Sequence, residues 1–323
     1  MRPFSIIPET LSFTGSGLRR PECVLTTAKG NIYTSDWKGG VSCIRPDGSK
    51  DIIVSEHSDV DLKPNGIALC RDGSFLIANI GDTGGLYRLK KNGELTAMLS
   101  EVDGVELPPS NYVMIDPMDR IWLTVSTRLR PRSRGYRPDN ADGFIVLMGA
   151  NGARIVADNL GYTNEIQLDA SGQWLYVNET FGRRLSRFRV QPDGSLQDKE
   201  MIAEFGMGTY PDGLTFDAEG GIWITSIISN RVIRISPDGD QQVILEDADL
   251  NHVLKAEEAF QSGNMDRPHL DTIKSQYLKN ISSLAFGGKD LKTVYLGCLL
   301  GDSLATFRSP VAGRPPVHWF FDN

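Results

Sequence analysis

The chain repeats one short pattern six times, and this repetition limits its possible folds more than any other feature. Each copy opens with a polar residue, runs through a short alternating apolar segment, turns at Gly, Asp or Asn, and ends in a second apolar segment. The copies "YTNEIQLDASGQWLYVN", from Tyr162, and "YPDGLTFDAEGGIWITS", from Tyr210, match almost position by position. Alternating apolar segments joined by such turns predict β-hairpins.

The spacing of the copies predicts how the hairpins are arranged. Their first polar residues lie 43, 46, 53, 48 and 70 residues apart. These residues are Glu22, Asn65, Asn111, Asn164, Asp212 and Ser282. A period in the forties with about four strands per unit is typical of a β-propeller blade, and the ring leaves few exposed sheet edges. We therefore predict an all-β, six-bladed β-propeller in a single domain over residues 1–323. A β-sandwich would not explain Asp-Gly and Asn-Gly turns at matching phase.

Two insertions interrupt the period. The first, at about 128–142, is rich in arginine and proline, and the second, at about 246–280, has helix-forming composition that ends at Ser262-Gly263. We therefore predict a helical insertion between blades five and six. Long excursions from a compact scaffold are often lids or binding loops. A solvated decoration or an oligomer contact is the alternative for each insertion.

Composition narrows the class of partner. Hydrophobic residues make up 40% of the chain and charged residues 23%, with a net charge of −7. These values are ordinary for a globular protein and do not favour nucleic acid or an anionic membrane as a partner. An apolar segment of signal-peptide or membrane-spanning length is missing, and the four cysteines are scattered without a CxxC pair. We expect a cytoplasmic protein with reduced thiols, and its oligomeric state stays open.

The polar residues that open the six repeats predict a cation site. In a propeller these residues lie near one mouth of the central channel, and all six carry side-chain oxygens, which hard divalent cations prefer as ligands. Glu22 and Asp212 supply a formal charge of −2, while amides add oxygens without further repulsion. We predict one divalent ion bound by Glu22, Asn111, Asn164 and Asp212. For Asn65 and Ser282 a simple turn or strand-start role stays open.

These motifs resemble the gluconolactonase and senescence-marker-protein (regucalcin-like) family of six-bladed propellers. The most specific segment is "YPDGLTFDAEGGIWITSIISNRVIRISPDG", and "RRPECVL", "PSNYVMIDPMDRIWLT" and "TNEIQLDASGQWLYVNE" are similar to three further family segments. In that family a Glu, two Asn and an Asp hold one divalent ion, and by motif these match the four predicted ligands. The resemblance implies a metal-dependent lactonase with Ca²⁺ favoured, and with Zn²⁺, Mg²⁺ or Mn²⁺ as alternatives.

The same resemblance suggests a mechanism and a substrate site for a small lactone or ester. The ion would act as a Lewis acid on the lactone carbonyl, with Asp212 as general base and Glu165 as the alternative base. Arginines of the first insertion could clamp a carboxylate of the substrate. The predicted substrate contacts are Asn65, Tyr112, Arg128, Tyr162 and Phe181.

Other functions fit the same pattern. An esterase or organophosphate hydrolase could use the same metal site on a different electrophile. A non-hydrolytic propeller, either a strictosidine-synthase-like enzyme or a binding module, is the second alternative. The "GDSL" at 301–304 lies in the last blade, where the serine-hydrolase motif of that spelling has no role, so we expect a turn there.

Overall fold

The inner strands of six sheets form a closed ring in the computed structural model, which describes residues 4–56, 60–150 and 152–321. Each sheet has four antiparallel strands, and each inner strand contacts the inner strands of the two neighbouring sheets. The predicted all-β, six-bladed β-propeller is therefore confirmed.

The strands follow one another in chain order from the inside of each blade to the outside. A 3-10 turn at Pro8–Thr10 and strand β1 (Ser12–Thr14) precede the first complete blade. Blade one holds β2 (Val24–Thr26), β3 (Ile32–Asp36), β4 (Gly40–Ile44) and β5 (Lys50–Val54). Blade two holds β6 (Pro64–Leu69), β7 (Phe75–Asn79), β8 (Leu86–Leu89) and β9 (Leu95–Leu99). A small hairpin of β10 (Glu101–Val102) and β11 (Val105–Glu106) follows.

The next three blades repeat this order. Blade three holds β12 (Ser110–Ile115), β13 (Ile121–Val125), β14 (Gly143–Gly149) and β15 (Gly152–Leu160). Blade four holds β16 (Thr163–Leu168), β17 (Trp174–Glu179), β18 (Arg184–Val190) and β19 (Leu196–Glu204). Blade five holds β20 (Thr209–Phe216), β21 (Ile222–Ile228), β22 (Arg231–Ile235) and β23 (Gln241–Glu246).

The sixth blade joins the two ends of the chain. Its strands β24 (Ile281–Gly287), β25 (Thr293–Cys298) and β26 (Leu304–Arg308) come from the C-terminal part, and β1 supplies the outer strand, with Ser12 opposite Thr306. This pairing closes the ring without an unpaired edge on β26.

The turn residues explain why the hairpins form where the sequence predicts them. In one turn after another, an Asp or Asn side chain accepts the backbone N–H two residues further on, as Asp72 does from Ser74 at 3.0 Å and Asp193 does from Ser195 at 3.0 Å. Gly194 then has φ +83°, a conformation that L side chains rarely adopt. The local chemistry therefore fixes the turn positions before any tertiary contact forms.

Both insertions lie at the same end of the channel. The first lies between β13 and β14 and contains a 3-10 turn at Arg132–Gly135. Two helices lie between β23 and β24: α1 (Leu250–Gln261), which buries Val253, Ala256 and Phe260, and α2 (Pro268–Asp271). Arg137 Nη1 donates to the Met265 carbonyl at 2.6 Å, so the insertions contact each other.

Two further features concern the chain as a whole. The four cysteines, Cys23, Cys43, Cys70 and Cys298, are free thiols. The helices in the described parts of the chain are all too short or too polar to cross a membrane.

Candidate functional site

A β-bulge interrupts the inner strand of five blades at the position of the polar opening residue. The register shifts fall between Pro64 and Ile67, Ser110 and Tyr112, Thr163 and Ile166, Pro211 and Leu214, and Ile281 and Leu284. A bulge leaves a residue unpaired and re-aims its side chain. The strand pairing therefore turns side chains such as Asn164 and Asp212 out of the sheet alternation at the start of each blade.

The four predicted ligands line one cavity. Glu22, Asn111, Asn164 and Asp212 come from blades one, three, four and five, and each is buried, with 3–7% of its surface exposed. Close packing at this level requires small neighbours. A Cβ on Gly213 would lie 2.6 Å from the Ser282 carbonyl oxygen. The repeated strand starts therefore converge at one place in space.

Both asparagines donate from their NH₂ groups to hydroxyls of the adjacent strands. Asn111 Nδ2 donates to Ser126 Oγ at 2.8 Å, and Asn164 Nδ2 donates to Thr180 Oγ1 at 3.0 Å. Thr180 Oγ1 in turn donates to the Pro211 carbonyl at 2.7 Å. The amide oxygens remain as acceptors at the cavity, where Asn111 Oδ1 also accepts from Asn65 Nδ2 at 3.1 Å.

The two carboxylates differ in their surroundings. Glu22 accepts a hydrogen bond from Arg20 Nε at 3.1 Å, and Arg20 Nη2 lies 3.1 Å from the same carboxylate oxygen, so the two residues form a buried ion pair. Burial and the neighbouring Glu22 charge raise the pKa of Asp212 well above its usual value, while Arg20, Arg132 and a hydrogen bond from Asn164 oppose the shift. A bound cation would remove the cause of this shift, because it would favour the charged form of both carboxylates.

Arginines and aromatic side chains cover the cavity. Arg20, Arg132 and Arg267 line it, the last two from the first and second insertions. Tyr136 of the first insertion stacks on Phe181 with ring centroids 4.6 Å apart, and Tyr162 meets Phe181 edge-on at 4.8 Å. The remaining volume is about 20 Å³, room for one water or ion rather than a sugar-sized molecule.

The predicted substrate contacts divide into two groups. Tyr162 and Phe181 line the ligand cavity, and Asn65 lies beside it, donating from Nδ2 to Asn111 Oδ1 at 3.1 Å. Tyr112 instead lines the central channel. Arg128 is exposed at the blade surface and pairs with Asp158 at 2.8 Å.

The alternative base also lies along the channel. Glu165 lines the channel cavity together with Cys23 and Tyr112 and accepts the Leu214 N–H at 2.8 Å. Burial raises the pKa of Glu165 well above its usual value, and the charges of Asp212 and Glu22 act in the same direction, against the Leu214 hydrogen bond. The ring residue Ser282 donates to the Glu22 carbonyl at 3.0 Å, which is a structural bond between blades six and one.

Sequence reasoning missed several residues of the cavity. Arg20, Tyr136 and Arg267 belong to its lining without a repeat-based signal, since two of them lie in insertions. Thr180 and Ser126 were also missed. Thr180 lies 16 residues after Asn164 and Ser126 lies 15 residues after Asn111, and this nearly constant spacing of a hydroxyl residue is a signal present in the repeats.

The donor set suits a hard cation. Within the described residues, no group of three or more His, Cys, Asp or Glu side chains is placed to hold a metal ion. Two carboxylates and two amide side chains at this cavity offer instead an all-oxygen set, the kind that Ca²⁺ and Mg²⁺ prefer. A buried acceptor without a partner, Asn65 Oδ1, lies next to this set. The residues present therefore fit a divalent cation.

A six-bladed propeller with buried side-chain oxygens at one mouth of its channel defines a class of proteins with a polar site on the propeller axis. The sequence model for the SMP-30/gluconolactonase/LRE-like region matches residues 21–246 of this chain. The chain belongs to this family.

The individual proteins that this chain resembles share only a limited fraction of identical residues with it. The chain is 28% identical to a 6-deoxy-6-sulfogluconolactonase of Pseudomonas putida, over 71% of its own length and 66% of the relative's, just under two thirds. The solved gluconolactonase XC5397 of Xanthomonas campestris superimposes with a TM-score of 0.66 at 19% identity, covering 93% of this chain and 90% of that one. A calcium-binding regucalcin of Agrobacterium tumefaciens gives 0.66 at 18% identity, covering 94% and 96%. At these identities the solved structures support the fold.

Proposed function

We propose that the protein is a divalent-metal-dependent hydrolase that opens a small, sugar-like lactone at the mouth of its channel. The observation that carries the proposal is the convergence of Glu22, Asn111, Asn164 and Asp212 on one cavity, with each amide held through its NH₂ group by a hydroxyl of the adjacent strand. The names of the relatives add support, because one is a sulfogluconolactonase and another a gluconolactonase.

The bound cation would supply Lewis-acid polarisation of the lactone carbonyl, and we favour Ca²⁺ because every ligand is oxygen. Glu22 and the two asparagines would hold it, and Asp212 would both bind it and accept a proton. A water attacks the carbonyl carbon and its proton passes to the Asp212 carboxylate. The ring C–O bond then breaks, and Asp212 returns this proton to the released alkoxide oxygen. We favour Asp212 over Glu165 because Glu165 already accepts the Leu214 N–H along the channel.

A substrate must displace some of the arginine and aromatic side chains that cover the cavity. A cavity of about 20 Å³ holds no lactone. Arg132 and Arg267 also line a neighbouring cavity of about 410 Å³, and Arg20 and Arg267 line another of about 740 Å³. We propose that the lactone enters from one of these outer cavities when the arginine side chains move.

The test combines metal analysis with a substrate panel. We expect about one divalent ion per purified chain. We also expect hydrolysis of γ- and δ-sugar lactones that EDTA abolishes and one added cation restores. The panel includes a sulfonated gluconolactone, simple esters and an organophosphate, since these separate the lactonase from the alternative hydrolases.

Two variants test the assigned roles. Asp212→Asn should remove at least about 99% of kcat, in line with loss of a general base. Asp238→Asn removes a carboxylate from an exposed turn of the same blade and should leave turnover unchanged. Full activity after complete removal of metal would refute metal dependence, and near-normal turnover of Asp212→Asn with metal bound would exclude it as the base.

A further inference from the structure

Arg132 is the guanidinium at the ligand cavity that has no committed partner. Arg20 pairs with Glu22 at 3.1 Å, and Arg267 pairs with Asp271 at 2.6 Å. Arg132 forms neither a hydrogen bond nor a salt bridge with the residues that the structure describes, although it is half-buried and faces the Glu22 and Asp212 carboxylates. A cation that is partly withdrawn from water is stabilised by a counter-charge.

The proposed metal ion removes the counter-charges that are present. Glu22 and Asp212 together carry a charge of −2, which a divalent cation neutralises. Arg132 would then lie beside a neutral metal centre with no anion of its own. A guanidinium offers a planar fork of donors that fits a carboxylate, sulfonate or phosphate.

A second group at the same place also lacks a partner. The Tyr162 side chain is buried, with 4% of its surface exposed, and lines the ligand cavity beside Arg132. Its hydroxyl lies near that of Tyr136 but completes no hydrogen bond with the described residues. The cavity therefore presents two unused donors, one of them charged, on the side formed by the first insertion and blade four.

We propose that the substrate carries an anionic group remote from the reacting ester, and that Arg132 and the Tyr162 hydroxyl bind this group; the proposal rests on the function proposed above. Arg132 lies between the ligand cavity and the outer cavity of about 410 Å³. An anion held there leaves the carbonyl end of the molecule free to reach the four oxygen ligands. The substrate class is an acidic sugar lactone, with a carboxylate or sulfonate at the end opposite the carbonyl.

Binding measurements test the proposed anion site without any hydrolysis of the ligand. D-glucose, D-glucuronate and 6-deoxy-6-sulfoglucose differ at C6 alone and contain no lactone, so calorimetric titration of the metal-loaded protein reports recognition of the anion. We expect the two anionic sugars to bind roughly tenfold to a hundredfold more tightly than glucose, the range of a charge-assisted hydrogen bond. The stronger of the two identifies the anion.

The variants are matched in charge. Arg132→Met should abolish the preference, whereas Arg134→Met removes the same charge from an exposed residue of the same turn and should preserve it. Arg132→Lys keeps the charge without the fork and should retain part of the preference. This variant also serves if Arg132→Met does not fold, as judged by its thermal melt.

Hydrolysis separates this proposal from the proposed function. The D-glucono-1,4-lactone and D-glucaro-1,4-lactone pair differs only at C6, and wild type should favour the second by roughly tenfold in kcat/KM. Equal rates on both, with equal binding of glucose and glucuronate, would overturn the anion site and leave the lactonase standing. An anionic preference in binding that Arg132→Met abolishes, without hydrolysis of any lactone, would keep the anion site and refute the lactonase. Weakening of all three sugars alike in Arg132→Met would show that Arg132 is only a counter-ion for Asp212.

Discussion

Replacing Thr180 with Val is expected to weaken cation binding without changing any proposed ligand. Thr180 Oγ1 accepts the amide of Asn164 at 3.0 Å and donates to the Pro211 carbonyl at 2.7 Å. It therefore connects the ligand of blade four to the strand of blade five that carries Asp212. Valine has nearly the same shape and can make neither bond, so the change isolates the hydroxyl.

The magnitude follows from burial. Asn164 is 4% exposed and Thr180 is fully buried, so water replaces neither lost partner. Each buried polar group left unpaired costs about 1–3 kcal/mol, so the two groups together give an expected loss of about 2–6 kcal/mol in the free energy of unfolding. The Asn164 amide also loses the contact that holds its NH₂ group. Loss of such an outer-shell partner typically lowers metal affinity about tenfold to a hundredfold.

The assays are calorimetric titration with Ca²⁺ and urea unfolding at neutral pH. Thr163→Val is the matched control, because the Thr163 hydroxyl is buried one residue before Asn164 and has no hydrogen-bond partner in the described residues. This variant should keep wild-type affinity and at least wild-type stability. If Thr180→Val binds Ca²⁺ within twofold of wild type, the hydroxyl does not orient the ligand and our reasoning about the amides fails.

Three further predictions concern stability and reactivity. Burial alone would raise the pKa of Glu179, but hydrogen bonds from Arg184, the Gly161 N–H and Ser186 lower it from 4.5 to about 2. The resulting stabilisation, about 3 kcal/mol, is complete above pH 4.5 and disappears as the pH falls towards 2. In urea unfolding, Glu179→Gln should therefore be less stable than wild type at pH 7, and the difference should fall to roughly half at pH 3; a constant difference would contradict the assignment. Gly213→Ala should lower stability by about 2 kcal/mol or more, because its Cβ meets backbone of blade six; a melting temperature equal to that of wild type would show that the inner strands can move apart. A thiol reagent such as DTNB should modify the half-buried Cys43 and Cys70 well before the buried Cys23 and Cys298, and equal rates would disprove the burial.

The fold and the positions of the four predicted ligands could be predicted because a propeller brings residues that recur with the blade period to the same end of its channel. Residues at the same phase of each repeat, such as Asn111 and Asn164, come to the same end of the channel whatever the sequence between them. The turns are also local, since an Asx side chain and a following Gly fix each tip independently. Neither step needs knowledge of long-range packing.

The cover of the site could not be predicted, because nothing repeats in it. Arg267 and Tyr136 reach the cavity from insertions of unequal length, and their positions depend on contacts such as that between Arg137 and Met265. The pairing of β1 with β26 joins residues nearly three hundred positions apart, which no periodicity shows. Arg128 shows the same limit, because a charged insertion predicts a substrate clamp without fixing the direction of each arginine, and in the structure this one pairs with Asp158 on the surface.

The equivalent bulges of blades four and five carry an amide at Asn164 and a carboxylate at Asp212, and the hydroxyl of the adjacent strand explains the difference. In blade four the Thr180 hydroxyl accepts the amide N–H. In blade five the residue that corresponds to Thr180 is Ile227, because Ser226 pairs with Pro211 as Glu179 pairs with Thr163. The Ile227 side chain offers no acceptor, so an amide at 212 would bring buried donors to a place without a partner. A carboxylate brings no donor. A third carboxylate at 164 would add to the repulsion that already raises the pKa of Asp212. The second strand of each blade therefore selects which kind of oxygen the first strand can present.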